Sequence, residues 1–323
     1  MNLQGKKILV TGGAGFIGSH IISLLAEEGC AEIVAVDNMI RGRPENLAAV
    51  MEKAPIRIVE GDICDRSLME GLVKDSDLVF HKAALRITHC AEEPRLAIKI
   101  MVEATYDLLE LCVAHKVGRV VAASSASVYG LAEVFPTDES HHPYDNRTLY
   151  GAAKMFNEGL LRSFNDMYGL DYVATRCFNV YGPNMDIHGK YTEVLVRWME
   201  RIEAGQPPII FGDGSQTMDF VHVRDVARAN ILAAKSDVSD EVFNIASGGE
   251  TSLLELAQVL LKVMDREDLH IEFQDERSVN PVRRRLADVS KAERLLGFKA
   301  EVSLEAGMRD LVDWWRRERN LVA

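Results

Sequence analysis

Long apolar runs are missing from this sequence. No uncharged stretch approaches the roughly 18 residues that a membrane-spanning helix needs. The opening segment, MNLQGKKILV, runs straight into a strand-like stretch and lacks the apolar core of a secretory signal. A cytoplasmic location is expected. Cysteine is sparse: the five residues Cys30, Cys64, Cys90, Cys112 and Cys177 are scattered, with no CxxC pair. An odd, dispersed set suits a reducing compartment and speaks against a disulfide framework or a zinc site. His141, His142, His188 and His222 show no metal-ligand spacing, so no metal is expected. Positive charge is in deficit, with a net charge of −12. That excludes a general binder of nucleic acid or of membrane surfaces.

What remains is a globular composition, 47% hydrophobic and 27% charged. The 323 residues suggest about two domains. Short β-rich runs alternate with helical stretches: KKILV (6–10), EIVAV (32–36), IRIVE (56–60), DLVF (77–80), RVVAAS (119–124) and DYVATR (171–176). Helices are expected near 16–28, 94–116 and 148–168. The strands are unbroken apolar runs, as strands buried on both faces require. The expected fold class is α/β, a doubly wound parallel sheet over residues 1–178 with a possible return at about 220–246. A smaller α/β unit is expected over 179–323, with helices near 191–204, 252–264 and 302–318.

The first strand ends in VTGGAGFIGSH, where Gly12, Gly15 and Gly18 form a GxxGxxG pattern that opens a helix. A pyrophosphate can sit at such a helix N-terminus, on free N–H groups and the positive dipole end. Asp37 ends the second strand, at the distance where a carboxylate accepts from ribose hydroxyls. It would repel a 2′-phosphate, which favours NAD over NADP; Arg41 and Arg43, close behind, weaken that preference. In EGDICD, Asp62 and Ile63 can frame an adenine, or Asp62 can simply close an Asx turn.

AASSASVYG (122–130) ends the fifth strand, at the carboxyl edge where open α/β sheets bind ligands. Tyr150 and Lys154 follow in TLYGAAK (148–154), four apart on one helical face. Read alone, the pair is ordinary helix decoration. Behind a glycine fingerprint, a ribose acid and the strand-end Ser125, it reads as chemistry. A nearby ammonium favours phenolate, and phenolate can take a hydroxyl proton as hydride leaves the carbon.

The set GGAGFIG, Asp37, GDI, HKAA, SSASVYG, YGAAK, RCFNVYGP and FGDGSQTMDFVHVRDVA resembles the extended short-chain dehydrogenase/reductases. More narrowly it resembles the nucleotide-sugar 4-epimerases of the NAD-dependent epimerase/dehydratase family, over nearly the whole chain. The resemblance implies a Rossmann-like domain holding NAD through Gly12, Gly15, Phe16, Ile17, Gly18, Asp37, Asn38, Asp62, Ile63, Ala83, Ala84, Tyr150 and Lys154. It implies Ser125, Tyr150 and Lys154 as the catalytic set, with hydride passing from C4 of a UDP-sugar to NAD and back to the other face. Arg86, Ser125, Ser127, Asn179 and Thr192 would contact the substrate, Tyr191 lies beside them, and His81 would position backbone near the cofactor. A cytoplasmic homodimer, built on the helices near 94–116 and 148–165, is implied, serving polysaccharide or antibiotic sugar supply.

Ala126 and Ser127 stand where sugar 4,6-dehydratases carry an Asp-Glu pair and UDP-glucuronate decarboxylases a glutamate. Those reactions therefore rank below epimerisation, as does 4-keto reduction; an NAD-sensing binding protein is the reading outside enzymes. Met218 replaces the arginine expected before Asp219, RSVNPV (277–282) replaces an expected Arg-x-Gly-Asp-Val, and Met101 stands where an asparagine is usual. The basic run Arg283, Arg284 and Arg285 is expected to supply one guanidinium to the diphosphate, or else to be a solvated face. Arg285 aligns with the position that limits sugar size and can answer a sugar carboxylate.

Overall fold

Parallel strands run edge to edge through a 7-stranded central sheet. The strands are β1 (Lys7–Thr11), β2 (Glu32–Asp37), β3 (Ile56–Glu60), β4 (Leu78–His81), β5 (Arg119–Ser125), β6 (Tyr172–Cys177) and the later strand Glu241–Ile245. Their spatial order is Glu241–Ile245, β6, β5, β4, β1, β2, β3. The order reverses at β1, between β2 and β4, which places a ligand crevice beyond the carboxyl ends there. The computed structural model describes residues 1–188, 193–275 and 282–322.

Alternation along the strands explains their unbroken apolar runs. Ile8, Val10, Ile33, Ala35, Leu78, Phe80, Val121 and Val173 point to one face. Leu9, Val34, Val36, Val79, Val120, Tyr172 and Ala174 point to the other. Each buried aliphatic or aromatic side chain contributes about 1.5–3 kcal/mol of transfer free energy. Helix α1 (Phe16–Leu25) and the helix Val223–Lys235 pack together on the first face. The helices Arg66–Val73, Ala104–Ala114 and Leu149–Tyr168 cover the second. Among the described residues no helix is long and apolar enough to cross a membrane.

After β6 the chain leaves the sheet, and Asn179–Tyr181 pairs with Phe220–His222. It then returns: Glu241–Ile245 joins β6 in parallel, with Val242 opposite Ala174. A separate core forms around Trp198, Met199, Ile202, Leu256, Leu260, Met308, Leu311 and Trp315. It lies among the helices Val194–Glu203, Leu253–Val263 and Leu304–Val322.

Two features differ from expectation. The helix Ser290–Leu296, placed by sequence with the second unit, packs on the central sheet through Ala292, Leu296 and Phe298. So short an apolar stripe does not reveal which core it serves. The helix expected over 94–116 is three pieces: an α-helix Pro94–Ile98, a π-helical turn Lys99–Glu103 and an α-helix Ala104–Ala114.

Candidate active site

The glycine turn fits a dinucleotide. Gly15 is the N-cap of α1 and no side chain caps it, so the first-turn N–H groups of Phe16, Ile17 and Gly18 face the crevice beyond β1. Gly18 is required by close approach: a Cβ there would stand 2.1 Å from the Gly12 carbonyl oxygen. Gly12 itself has φ +66° and presses against Ala83, so the HKAA loop after β4 forms the neighbouring wall. The cradle is backbone on both sides, which leaves room for a diphosphate and fixes what can line it.

Asp37 ends β2 and is buried. Its carboxylate accepts from the Ala14 N–H at 3.2 Å and the Met39 N–H at 3.0 Å. Burial raises its pKa above the ordinary carboxylate range, while those N–H groups and Arg41 pull the other way. Asn38 is exposed and its Oδ1 accepts from the Ile40 N–H. Asp62 closes the Asx turn, accepting from the Cys64 N–H at 2.8 Å, with Ile63 buried behind it. Ala83 and Ala84 line the other side, the Ala83 N–H donating to Thr11 Oγ1 at 3.1 Å.

Tyr150 sits in the first turn of the helix Leu149–Tyr168, and Thr148 caps that turn by accepting from the Gly151 N–H at 3.1 Å. A Cβ on Gly151 would stand 2.5 Å from the Ser127 carbonyl oxygen. This glycine lets the helix press against the turn Ala126–Tyr129 that follows β5, and so brings Tyr150 to Ser125. Ser125 Oγ accepts from the Ser127 N–H at 3.1 Å, and it faces the Tyr150 phenol, pulling its pKa down against the effect of burial. Lys154 is buried; its ammonium donates to the Ala123 carbonyl at 2.7 Å and stands 5.8 Å from the centre of the Tyr150 ring. Burial pushes Tyr150 up to about 12 and Lys154 down to about 8. Each shift penalises the charged form, so the ionised pair is costly until further positive charge arrives. A cationic nicotinamide would supply that charge.

A buried relay backs this set. The Lys82 and Ala83 N–H groups both donate to Thr11 Oγ1, so the Thr11 proton goes to His81 Nδ1, 2.9 Å away. That assignment leaves His81 Nε2 as the donor to Thr105 Oγ1 at 3.0 Å, and Thr105 donates to the Met101 carbonyl at 2.9 Å. Burial lowers His81 to about 3, which keeps it neutral. Its role is therefore positional, as the resemblance implies. Asn157 Nδ2 donates to the same Met101 carbonyl at 2.7 Å. The π turn exposes that carbonyl, and the buried Met101 side chain accepts from the Leu85 N–H through its sulfur at 3.2 Å, so the position serves through both backbone and side chain. Behind Ser124, Glu158 makes a two-point ion pair with Arg176, at 2.9 and 2.7 Å.

The substrate side is mixed. Arg86 caps the helix Ile87–Glu92 and lies near Asp186 and Glu193, at 3.8 and 3.7 Å. Ser127 is partly exposed beside Ser125. The Asn179 amide donates to the Asp219 carbonyl at 3.1 Å. Asp219, beside the unusual Met218, is fully buried and accepts from Ser247, Gly248 and Ala287. It pins loops on the pocket rim, a role that sequence spacing does not disclose. Thr192 and Tyr191, with residues 277–281 of RSVNPV, lie outside the described residues. The three arginines separate. Arg284 is exposed and held by Glu250 at 2.7 and 2.8 Å, and Arg283 is exposed. Arg285 turns inward, donating to the Ala126 carbonyl at 2.6 Å, and burial pushes it down to about 10.

Such a site belongs to the enzymes that use a dinucleotide to move hydride at an alcohol carbon. Residues 8–246 match the model of the NAD dependent epimerase/dehydratase family. A putative UDP-glucose 4-epimerase of Methanocaldococcus jannaschii is 36% identical, over 96% of this chain and 98% of that protein. A dTDP-glucose 4,6-dehydratase of Actinoplanes is 33% identical, over 97% and 99%. Among solved structures, the UDP-N-acetylglucosamine 4-epimerase of Methanobrevibacter ruminantium in complex with UDP-N-acetylmuramic acid superposes with a TM-score of 0.91. It is 34% identical, over 98% of this chain and 99% of that one. The chain belongs to the NAD-dependent epimerase/dehydratase family: it is an enzyme of the extended short-chain dehydrogenase/reductase type, with NAD as cofactor.

Proposed function

We propose that this enzyme is a nucleotide-sugar 4-epimerase acting on a UDP-hexose or a UDP-hexosamine or uronic acid relative. The observation that carries the reading is the joining of Ser125, Tyr150 and Lys154 without an acid at Ala126 or Ser127. Bound NAD would supply a hydride acceptor and donor. Tyr150 takes the proton of the sugar 4-hydroxyl and later returns it to the other face's product. Ser125, whose lone pair is already engaged by the Ser127 N–H, donates toward the reacting oxygen or Tyr150. Lys154 holds the ribose side and favours the phenolate. A dehydratase needs a further acid to eliminate water, and the turn 126–129 offers none.

Incubation with a panel of UDP-, GDP- and dTDP-sugars, with no added cofactor, tests the reading. One donor should yield its 4-epimer; in a parallel assay with added NADH, its net consumption would instead mark a 4-keto reductase. Absence of product from every donor, with NAD bound, would sink the epimerase reading.

Arg285 donates to the carbonyl of Ala126, the residue after Ser125. We take it as the partner of an acidic substituent on the sugar. Arg285→Leu should cost UDP-glucuronate about tenfold to a hundredfold in kcat/KM, the worth of a charge-assisted hydrogen bond, and cost UDP-glucose little. Wild-type preference for UDP-glucose counts against this.

The remaining assignments follow the same reading. The sheet-bearing core would hold the cofactor and the second core the nucleotide sugar. Ile98, Tyr106, Met155 and Phe156 are exposed apolar residues on the helices flanking the site, which supports a homodimer across them. A cytoplasmic role in surface-sugar supply fits a UDP-hexose substrate.

A further inference from the structure

Lys82 directly follows β4, in the HKAA loop that abuts the glycine turn. Its N–H donates to Thr11 Oγ1 at 3.1 Å, which fixes it at the carboxyl edge of the sheet. Strand alternation then sets the side-chain direction. Phe80, two residues back, faces α1, and Lys82 Nζ stands 6.0 Å from the centre of its ring. The ammonium is buried with no hydrogen-bond partner. Burial pushes it down to about 7, and the groups it feels are Cys177 and Lys154. Cys177 is also felt by Tyr150 and by Lys154. Lys82 therefore stands among the charged and titratable groups that surround Tyr150.

An unpaired cation in such a place costs stability. Nothing in the sheet calls for it, since the Lys82 N–H bond would be made by almost any residue. We propose that Lys82 poises the cofactor: with Lys154 it forms a pair of cations that favours reduced over oxidised nicotinamide. Hydride uptake removes the positive charge of the ring. Nearby cations repel the oxidised ring and leave the neutral reduced ring alone, so the sugar hydrogen is taken more readily. The inference rests on the NAD cradle and not on which sugar is bound.

The test uses purified holoenzyme without any nucleotide sugar, equilibrated against a redox dye of known potential. The reduced fraction is read from the nicotinamide absorbance. Lys82→Gln and Lys82→Met should hold about tenfold less reduced cofactor at the same poise, equivalent to about 30 mV for a two-electron couple. Lys82→Arg should stay near wild type. The neutral variants, stripped of cofactor, should melt no lower than wild type. An unchanged reduced fraction in the neutral variants overturns the proposal. So does loss of bound NAD at unchanged poise, which would place the ammonium on the phosphates. A lower melting temperature at unchanged poise would make Lys82 a packing residue and overturn it equally.

Discussion

Tyr150→Phe should lower turnover by about two to four orders of magnitude, the usual worth of a positioned acid–base group, and leave NAD in place. The phenol faces Ser125 at the edge of β5. Removing its oxygen leaves the ring packing and the cradle untouched. The pH dependence follows from charge. Burial holds Tyr150 up to about 12, so activity must rise with pH as phenolate forms. Lys154, 5.8 Å from the ring centre, is the ammonium beside a phenolate formed against bound cofactor, so in Lys154→Met the rising limb of kcat/KM should move to higher pH. Product formation over a pH series, with bound NAD counted after denaturation, checks both. A Tyr150→Phe enzyme with full turnover would remove the acid–base assignment altogether.

Gly18→Ala should yield protein that purifies without NAD. A Cβ would sit 2.1 Å from the Gly12 carbonyl oxygen, a backbone atom with no rotamer to yield. The turn must open, at a strain of about 1–3 kcal/mol, and the N–H groups of α1 lose their aim. Gly71→Ala is the matched control, because a Cβ there meets nothing within 4 Å. It lies in the helix Arg66–Val73 and should stabilise by about 0.5–1 kcal/mol. Bound NAD should therefore be lost in Gly18→Ala and unchanged in Gly71→Ala, while their melting temperatures move in opposite directions. Equal NAD content in both would show that the tight approach is not what the cradle depends on.

The sheet was legible because strands buried on both faces leave unbroken apolar runs, and even IRIVE, the partly exposed edge strand, was placed to the residue. The cradle and Tyr150–Lys154 were legible because glycine spacing and a helical turn are local properties. Partners brought together by the fold were not. That Arg284 belongs to Glu250 while Arg285 belongs to Ala126 depends on the bridge between Thr217 and Arg284. In that pairing neighbouring side chains alternate, and three like residues in a row carry no mark of it. Gly151 carries no mark in the sequence; its reason is the Ser127 carbonyl, which sequence cannot bring near. Lys82 drew no reading of its own in the sequence, and only its burial marks it as unusual.

The π turn at Lys99–Glu103 holds one residue more than an α-helical register needs. Each residue turns a helix by about 100°, so the inserted one sets two faces of different origin end to end. The segment 94–98 and the segment 104–114 cannot share a single apolar stripe, and a periodicity read across them is blurred at its middle. The length of the turn sets where the Met101 carbonyl lies, while the Met101 sulfur accepts from the Leu85 N–H. Substitution at Met101 leaves the carbonyl that Asn157 and Thr105 use, whereas a single-residue deletion would close the turn and swing that oxygen away.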